Sequence, residues 1–244
     1  MFYAFKVPTK YLVKFLHLQD MVFCTPDSVN DVLSIDPEIW RKKPVMLGGQ
    51  NISNKKLVRM AQHVSAKEII APYVLNNPRA TYEKAYSLFK YLERAELLNQ
   101  FEIMTVPQGR KLKDILECAH YMTRLPTKTF GLPVKLSPDK KPYLMEQMRF
   151  KIIQSLAEKK LLQGRTIHLI ELSGFQYLKA YKKAASYFRI RSLSTDYPVI
   201  TGLFRKTFEQ TKRRPFLDVP EDISISEETL DRITENILYM RKYK

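Results

Sequence analysis

The feature that most constrains this chain is a regular alternation of short apolar runs with longer amphipathic segments. Near-continuous apolar strands separated by helices are typical of a parallel sheet that is covered on both faces. The predicted strands span 21–24, 44–47, 68–72, 101–107, 129–134, 166–172 and 188–194, with 2–7 as an eighth. Their spacing predicts βαβ units joined by right-handed crossovers.

The segments between the strands have the periodicity of amphipathic helices. Helices are predicted over 53–64, 78–98, 111–124, 142–162 and 173–187, with a C-terminal packing helix over 225–243. Seven or eight strand–helix units predict an α/β protein folded as a (β/α)8 TIM-type barrel. An open, doubly wound parallel sheet is the alternative. Because no linker interrupts the pattern, residues 1–244 are expected to form a single domain.

The charge is strongly positive: 41 Lys and Arg against 25 Asp and Glu give a net charge of +16. Such an excess in a folded domain favours a polyanionic partner, and nucleic acid is expected. The alternative is that the basic residues only solvate the surface.

Other classes of protein have little support in the sequence. Cys24 and Cys118 lack metal spacing and are expected to be reduced core thiols. Neither a metal nor a cofactor is expected, because the histidines lack ligand spacing and no phosphate-binding glycine motif occurs. Without a signal peptide or a long apolar run, the expectation is a cytoplasmic protein with no membrane partner.

In a barrel, functional residues lie on the loops after the carboxyl ends of the strands. Six colinear segments at these positions are PVMLGGQN (44–51), IIAPYVLNNPRAT (69–81), IMTVPQGRKLKDILECAHYM (103–122), RLPTKTFGLPVKL (124–136), RTIHLIEL (165–172) and RSLSTDYPVITG (191–202). Together they resemble the tRNA-guanine transglycosylase superfamily. The likeness is to its short phage and bacterial members, which exchange guanine in DNA for 7-deazaguanines.

The resemblance implies a set of base-binding residues. Gln108 matches the glutamine that reads the base edge, and Gly131 and Leu132 match a strand-end pair whose backbone lies against the base. His168 and Glu171 fall on the strand that approaches from the far side. Tyr73 stands where the family has an acid.

The resemblance also places the catalytic residues in the loop after the last strand. Ser194 occupies the position of the attacking aspartate, and Asp196 follows two residues later. A carboxylate can trap the sugar covalently, so Asp196 is the candidate nucleophile and Ser194 its neighbour in the site. The alternative is that Asp196 caps the following helix or forms an Asx-turn. Gln50 and Asn51 are expected to supply amide contacts near Gly48, where another acid is missing.

Basic residues interleaved with aromatic residues flank this loop. Lysine and arginine neutralise phosphates, and aromatic side chains can stack on an unpaired base. The expected phosphate contacts are Arg191, Arg205, Lys206, Lys212, Arg213 and Arg214.

Three functional hypotheses follow from the resemblance, and the first two belong to different classes. The first is an enzyme that exchanges guanine for a 7-deazaguanine in DNA through a covalent sugar intermediate, in a phage-infected or bacterial cell. The second is a catalytically degenerate subunit that binds nucleic acid or an active partner, and a third is changed chemistry on an inserted 7-deazaguanine. DNA is favoured over tRNA, and homo- and hetero-oligomers are both left open.

Overall fold

The chain folds as a barrel of eight parallel strands. The computed structural model describes residues 1–36, 38, 41–49, 51–133, 142–204, 206, 208 and 223–242. The strands are Phe2–Phe5 (β1), Val22–Cys24 (β2), Val45–Gly48 (β3), Glu68–Ile70 (β4), Glu102–Thr105 (β5), Thr129–Pro133 (β6), Thr166–Ile170 (β7) and Ile190–Thr195 (β8). They are hydrogen-bonded in the order β1-β8-β7-β6-β5-β4-β3-β2. The predicted (β/α)8 barrel is confirmed rather than the open sheet, because β1 pairs with β8 and hydrogen bonds also join β1 to the segment that leads into β2.

The seam between β1 and β2 is closed by single contacts rather than by a regular ladder. The amides of Asp20 and Met21 donate to the Tyr3 carbonyl over 2.9 and 3.4 Å. Two side chains replace further strand partners: Asp20 Oδ2 accepts from Tyr3 N at 3.0 Å, and Gln19 Oε1 accepts from Phe5 N at 3.1 Å. The ring is therefore completed mainly by the polar segment that precedes β2.

Helices follow the strands and form the outer layer. Their bounds are Leu12–Leu16 (α1), Val29–Ser34 (α2), Asn54–His63 (α3), Pro78–Arg94 (α4), Leu112–Met122 (α5), Pro142–Glu158 (α6), Phe175–Ala184 (α7), Tyr197–Leu203 (α8) and Glu227–Arg241 (α9). Side-chain caps begin several of them: Ser53 accepts from Lys56 N, and Asn77 accepts from Ala80 N immediately before Pro78. Among the described residues, no helix combines the length and the apolar character needed to cross a bilayer.

The strands bury both of their faces. One set of side chains packs outward against the helices in the main core. A second, smaller cluster fills the inside of the barrel and consists of Ala4, Met21, Met46, Ile70, Met104 and Val106. This plug separates the two ends of the barrel, so groups at the carboxyl end of the strands are distinct from those at the amino end.

Candidate functional site

An ion pair lies at the carboxyl end of the barrel. Lys6 follows β1 and Glu171 follows β7, and Lys6 Nζ is 3.8 Å from Glu171 Oε1. The side chains are only 28% and 17% exposed. In (β/α)8 barrels this end carries the chemistry, because the loops after all eight strands converge there.

Both residues are fixed through the backbone of β8. The amide of Lys6 donates to the Thr195 carbonyl over 2.9 Å, and the amide of Glu171 donates to the Ser194 carbonyl over 2.7 Å. Because β8 lies between β1 and β7 in the sheet, it brings together two charges that are far apart in the sequence.

The backbone of Glu171 has an unusual conformation. Its φ of +66° lies in the left-handed region, which residues other than glycine seldom adopt. Ser65, Glu96, Lys160 and Arg189 share this conformation, but they lie after helices, where a left-handed residue is an ordinary terminator. Asn76, in the loop between β4 and α4, shares it as well, and asparagine adopts it more readily than most residues. Glu171 instead follows a strand at the carboxyl end of the barrel, and local strain of this kind is concentrated at functional sites.

The ion pair lies beside an apolar floor. Lys6 Nζ is 5.1 Å from the centre of the Phe23 ring, a cation–π distance. Phe23, Tyr73 and Ile170 are partly buried and pack against the interior cluster of the barrel. A few charged groups above an apolar surface are the usual composition of a small-molecule site.

Below the ion pair, His168 connects two serines of β8. His168 Nδ1 is 2.7 Å from Ser192 Oγ, and Nε2 is 3.0 Å from Ser194 Oγ. Burial, together with the positive charges of Lys6, Arg191 and Arg149, lowers the pKa of His168 to about 3.

A histidine with so low a pKa is a weak base, so His168 is poorly suited to activate Ser194 in the manner of a catalytic dyad. Ser194 itself is fully buried. The triplet therefore acts as a satisfied polar core inside the barrel.

Asp196 is placed at the junction of β8 and α8. It is 7% exposed and stands at the N-cap position of α8, where its carbonyl accepts from Val199 N at 2.9 Å and Ile200 N at 3.0 Å. Asp196 therefore occupies the N-cap position that the alternative predicted, but its side chain makes no capping hydrogen bond. A catalytic role for Asp196 stays a prediction.

The expected base-binding residues are spread around the same end of the barrel. Gln108 is buried after β5, and its Oε1 accepts from Asn76 N at 3.4 Å. Leu132 packs outward in the main core, whereas Gly131 is within the interior. Asn51 is exposed after β3, and Gln50 lies outside the described residues. The structure brings together His168 and Ser194, but it does not gather the whole set around one point.

The expected phosphate contacts do not form one described surface. Arg191 lies at the amino end of the barrel, where Nη1 pairs with Glu102 Oε2 at 2.9 Å. Lys206 is exposed after α8. The remaining four, Arg205, Lys212, Arg213 and Arg214, are outside the described residues. Nucleic acid as a partner stays a prediction that rests on charge.

The candidate pair was not identified from the sequence, although signals for it were present. Lys6 is the next-to-last residue of the run FYAFKV and Glu171 is the next-to-last residue of TIHLIEL, so each is a charged residue near a predicted strand end. The sequence alone does not show that Lys6 and Glu171 pair, because their pairing depends on closure of the barrel. Among the described residues, no group of three or more His, Cys, Asp and Glu side chains could hold a metal.

The protein is thus a (β/α)8 barrel with charged side chains at the carboxyl end of its strands. Many solved proteins share this fold. No family model and no curated protein matches the sequence. The chain is similar to the YdjI aldolase from Escherichia coli K12, with 11% identity, coverage of 99% of this chain and 90% of that chain, and a TM-score of 0.58. It is also similar to phosphoribosyl anthranilate isomerase from Pyrococcus furiosus, with 7% identity, 99% coverage of both chains and a TM-score of 0.51. Identities this low show the fold alone.

These comparisons correct the expected family. The resemblance to the tRNA-guanine transglycosylase superfamily is wrong, because the similar structures are aldolase and isomerase barrels and no family model matches. Guanine exchange in DNA and an inactive transglycosylase-like subunit were both inferred from this resemblance, so neither function is supported.

The motifs that suggested that family have a physical explanation in the barrel. A Cβ atom at Gly109 would lie 2.6 Å from Asp114 Cβ, and one at Gly131 would lie 2.9 Å from Met104 Sδ. Both glycines are therefore required by close packing of a strand end or of the barrel interior. Short strand-to-helix motifs of this kind can arise in unrelated barrels.

Proposed function

We propose that this protein is an enzyme that moves a proton on a small anionic carbonyl compound at the carboxyl end of the barrel. The observation that carries the proposal is the Lys6–Glu171 pair, held by β8 in a mostly buried position at that end. The fold shared with an aldolase and an isomerase supports a reaction of this general type.

The two side chains are complementary in acid–base chemistry. The Glu171 carboxylate accepts a proton from the carbon next to a carbonyl group, and later returns it to the same or a neighbouring atom. The Lys6 ammonium stabilises the negative charge that develops on the carbonyl oxygen. Because both groups are largely shielded from water, their electrostatic effect on the substrate is strengthened.

The surroundings indicate the class of substrate. The Lys6 ammonium beside the Phe23 ring favours a compound with a carboxylate or phosphate and a short carbon skeleton. The strong positive charge of the chain attracts such anions.

The experiment is proton exchange measured by NMR in deuterated water. A panel of short 2-keto acids, hydroxy ketones and sugar phosphates is incubated with the protein, and loss of the C–H signal next to the carbonyl is followed. Glu171→Gln is expected to reduce exchange by about 10²–10⁴-fold, the usual contribution of a general base. Lys6→Met is expected to reduce it by about 10²-fold or more.

A second ion pair of the same composition supplies the control. Lys14 and Glu227 pair at 2.7 Å on the exposed surface. Lys14→Met and Glu227→Gln should leave exchange unchanged. The proposal would be contradicted if exchange persisted in Glu171→Gln. It would also be contradicted if no compound of the panel showed exchange with the natural protein.

A further inference from the structure

A buried charged cluster lies directly behind the strand ends that carry the candidate site. Glu146 and Arg149 on α6 are both fully buried and pair at 2.7 Å. Tyr181 of α7 donates to Glu146 Oε2 at 2.5 Å and accepts from Arg149 Nε at 2.8 Å. These three residues are called the α6 clamp below.

The clamp is directed at the backbone of the β7–α7 loop. Arg149 Nη1 donates to the Ile170 carbonyl at 3.1 Å and to the Glu171 carbonyl at 3.0 Å. Glu146 Oε1 accepts from both the amide and the hydroxyl of Ser173, at 3.0 and 2.8 Å. One charged pair therefore holds the loop on both sides of Glu171.

The clamp also connects the loop to the neighbouring strand. Arg149 Nη1 lies 3.3 Å from the Leu132 carbonyl at the end of β6. An arginine suits this task, because its planar guanidinium presents several donors in a fixed geometry. A lysine in the same place could not reach three carbonyls and a carboxylate at once.

We propose that the α6 clamp is a positioning device that holds Glu171 in its left-handed conformation and so directs its carboxylate toward Lys6. This inference rests on the proposed function for its catalytic meaning. The argument is geometric: the Glu171 carbonyl is held by Arg149 while its amide is held by Ser194. With both peptide groups fixed, φ is fixed at a value that the residue would otherwise leave.

The test uses a mild and a severe variant with a control on the same helix. Tyr181→Phe removes one hydroxyl from the clamp, and Arg149→Met removes its cation. Tyr177→Phe alters a tyrosine of α7 that packs against the core outside the clamp. Because buried ion pairs are costly to break, Arg149→Met is expected to be less stable, and Tyr181→Phe keeps the test valid if Arg149→Met does not fold.

The first readout is amide hydrogen exchange, followed by NMR in the free protein. In Tyr181→Phe, exchange at Glu171 N should rise by about tenfold or more relative to Leu169 N in the preceding strand β7, while Tyr177→Phe leaves the ratio unchanged. An equal change at both amides, or no change, would overturn the clamp inference.

The second readout separates the clamp from the proposed function. If a substrate from the panel is turned over, Tyr181→Phe should lower kcat with little change in KM, because Lys6 still binds the anion. A fall in stability alone, with kcat unchanged, would overturn a positioning role. If no substrate is turned over while Glu171 N still loses protection, the clamp stands and the proposed function fails.

Discussion

At the residue scale, a buried carboxyl at the amino end of the barrel titrates in an unusual range. Burial raises the pKa of Glu68 to about 7, against a partial offset from a hydrogen bond with Thr129 and from the charge of Arg191. Its side chain is nearly inaccessible, and Oε1 has no hydrogen-bond partner. Glu68 is therefore protonated at mildly acidic pH in the folded protein but ionised in the unfolded chain.

The sign of the effect on stability follows from linkage. The folded state binds the Glu68 proton more tightly than the unfolded chain does. The resulting contribution to the free energy of unfolding is therefore fully present below about pH 4.5 and is lost as the pH rises to about 7. The loss amounts to roughly 3 kcal/mol. Glu68→Gln should remove this dependence and be more stable than the natural protein at pH 8, as measured by urea unfolding across pH.

The control for this prediction is an exposed carboxylate. Glu83→Gln alters a surface residue that pairs with Arg79 and should leave the pH profile nearly unchanged. If Glu68→Gln keeps the alkaline decline, the decline comes from groups other than Glu68 and the prediction is wrong.

At the scale of elements, the last helix holds the segment that leaves β8. Asn236 of α9 is buried; its Nδ2 donates to the Pro198 and Lys206 carbonyls, and its Oδ1 accepts from Phe208 N at 3.0 Å. Asn236→Leu keeps the volume but leaves these backbone groups unsatisfied. We expect a loss of about 1–3 kcal/mol, measured as a lower midpoint of thermal unfolding.

The neighbouring position on α9 provides a comparison. Glu235 is exposed, and Glu235→Leu should change the free energy of unfolding by no more than about 0.5 kcal/mol. If the two variants behaved alike, the hydrogen bonds of Asn236 would not be what holds this segment to α9.

Elements were also the scale at which the sequence was most informative. The apolar runs predicted all eight strands, and Ser53 and Pro78 marked helix starts, because burial on two faces and helix capping are local requirements. The Glu146–Arg149 pair was not predicted. Its helix has an amphipathic pattern, in which charged residues are expected on the exposed face rather than in the core. Neither was the left-handed Glu171, because its conformation depends on partners from α6 and β8.

At the scale of the whole molecule, the barrel depends on a seam that only a few polar groups close. Gln19 is fully buried between β1 and β2, and it supplies the acceptor for Phe5 N that a neighbouring strand would supply elsewhere. Arg241 at the end of α9 donates to the Leu18 carbonyl and lies 3.5 Å from Asp20 Oδ1. The C-terminal helix therefore supports the seam from outside.

This arrangement predicts that a single amide side chain affects both stability and the candidate site. Gln19→Met keeps the length of the side chain but removes the acceptor, which should cost about 1–3 kcal/mol in the free energy of unfolding. Because Phe5 directly precedes Lys6, exchange at the amides of Phe5 and Lys6 should rise more than exchange in β5 or β6. Gln62→Met, at an exposed position of α3, is the matched control. Uniform loss of protection around the barrel would instead mean that the seam opens only with global unfolding.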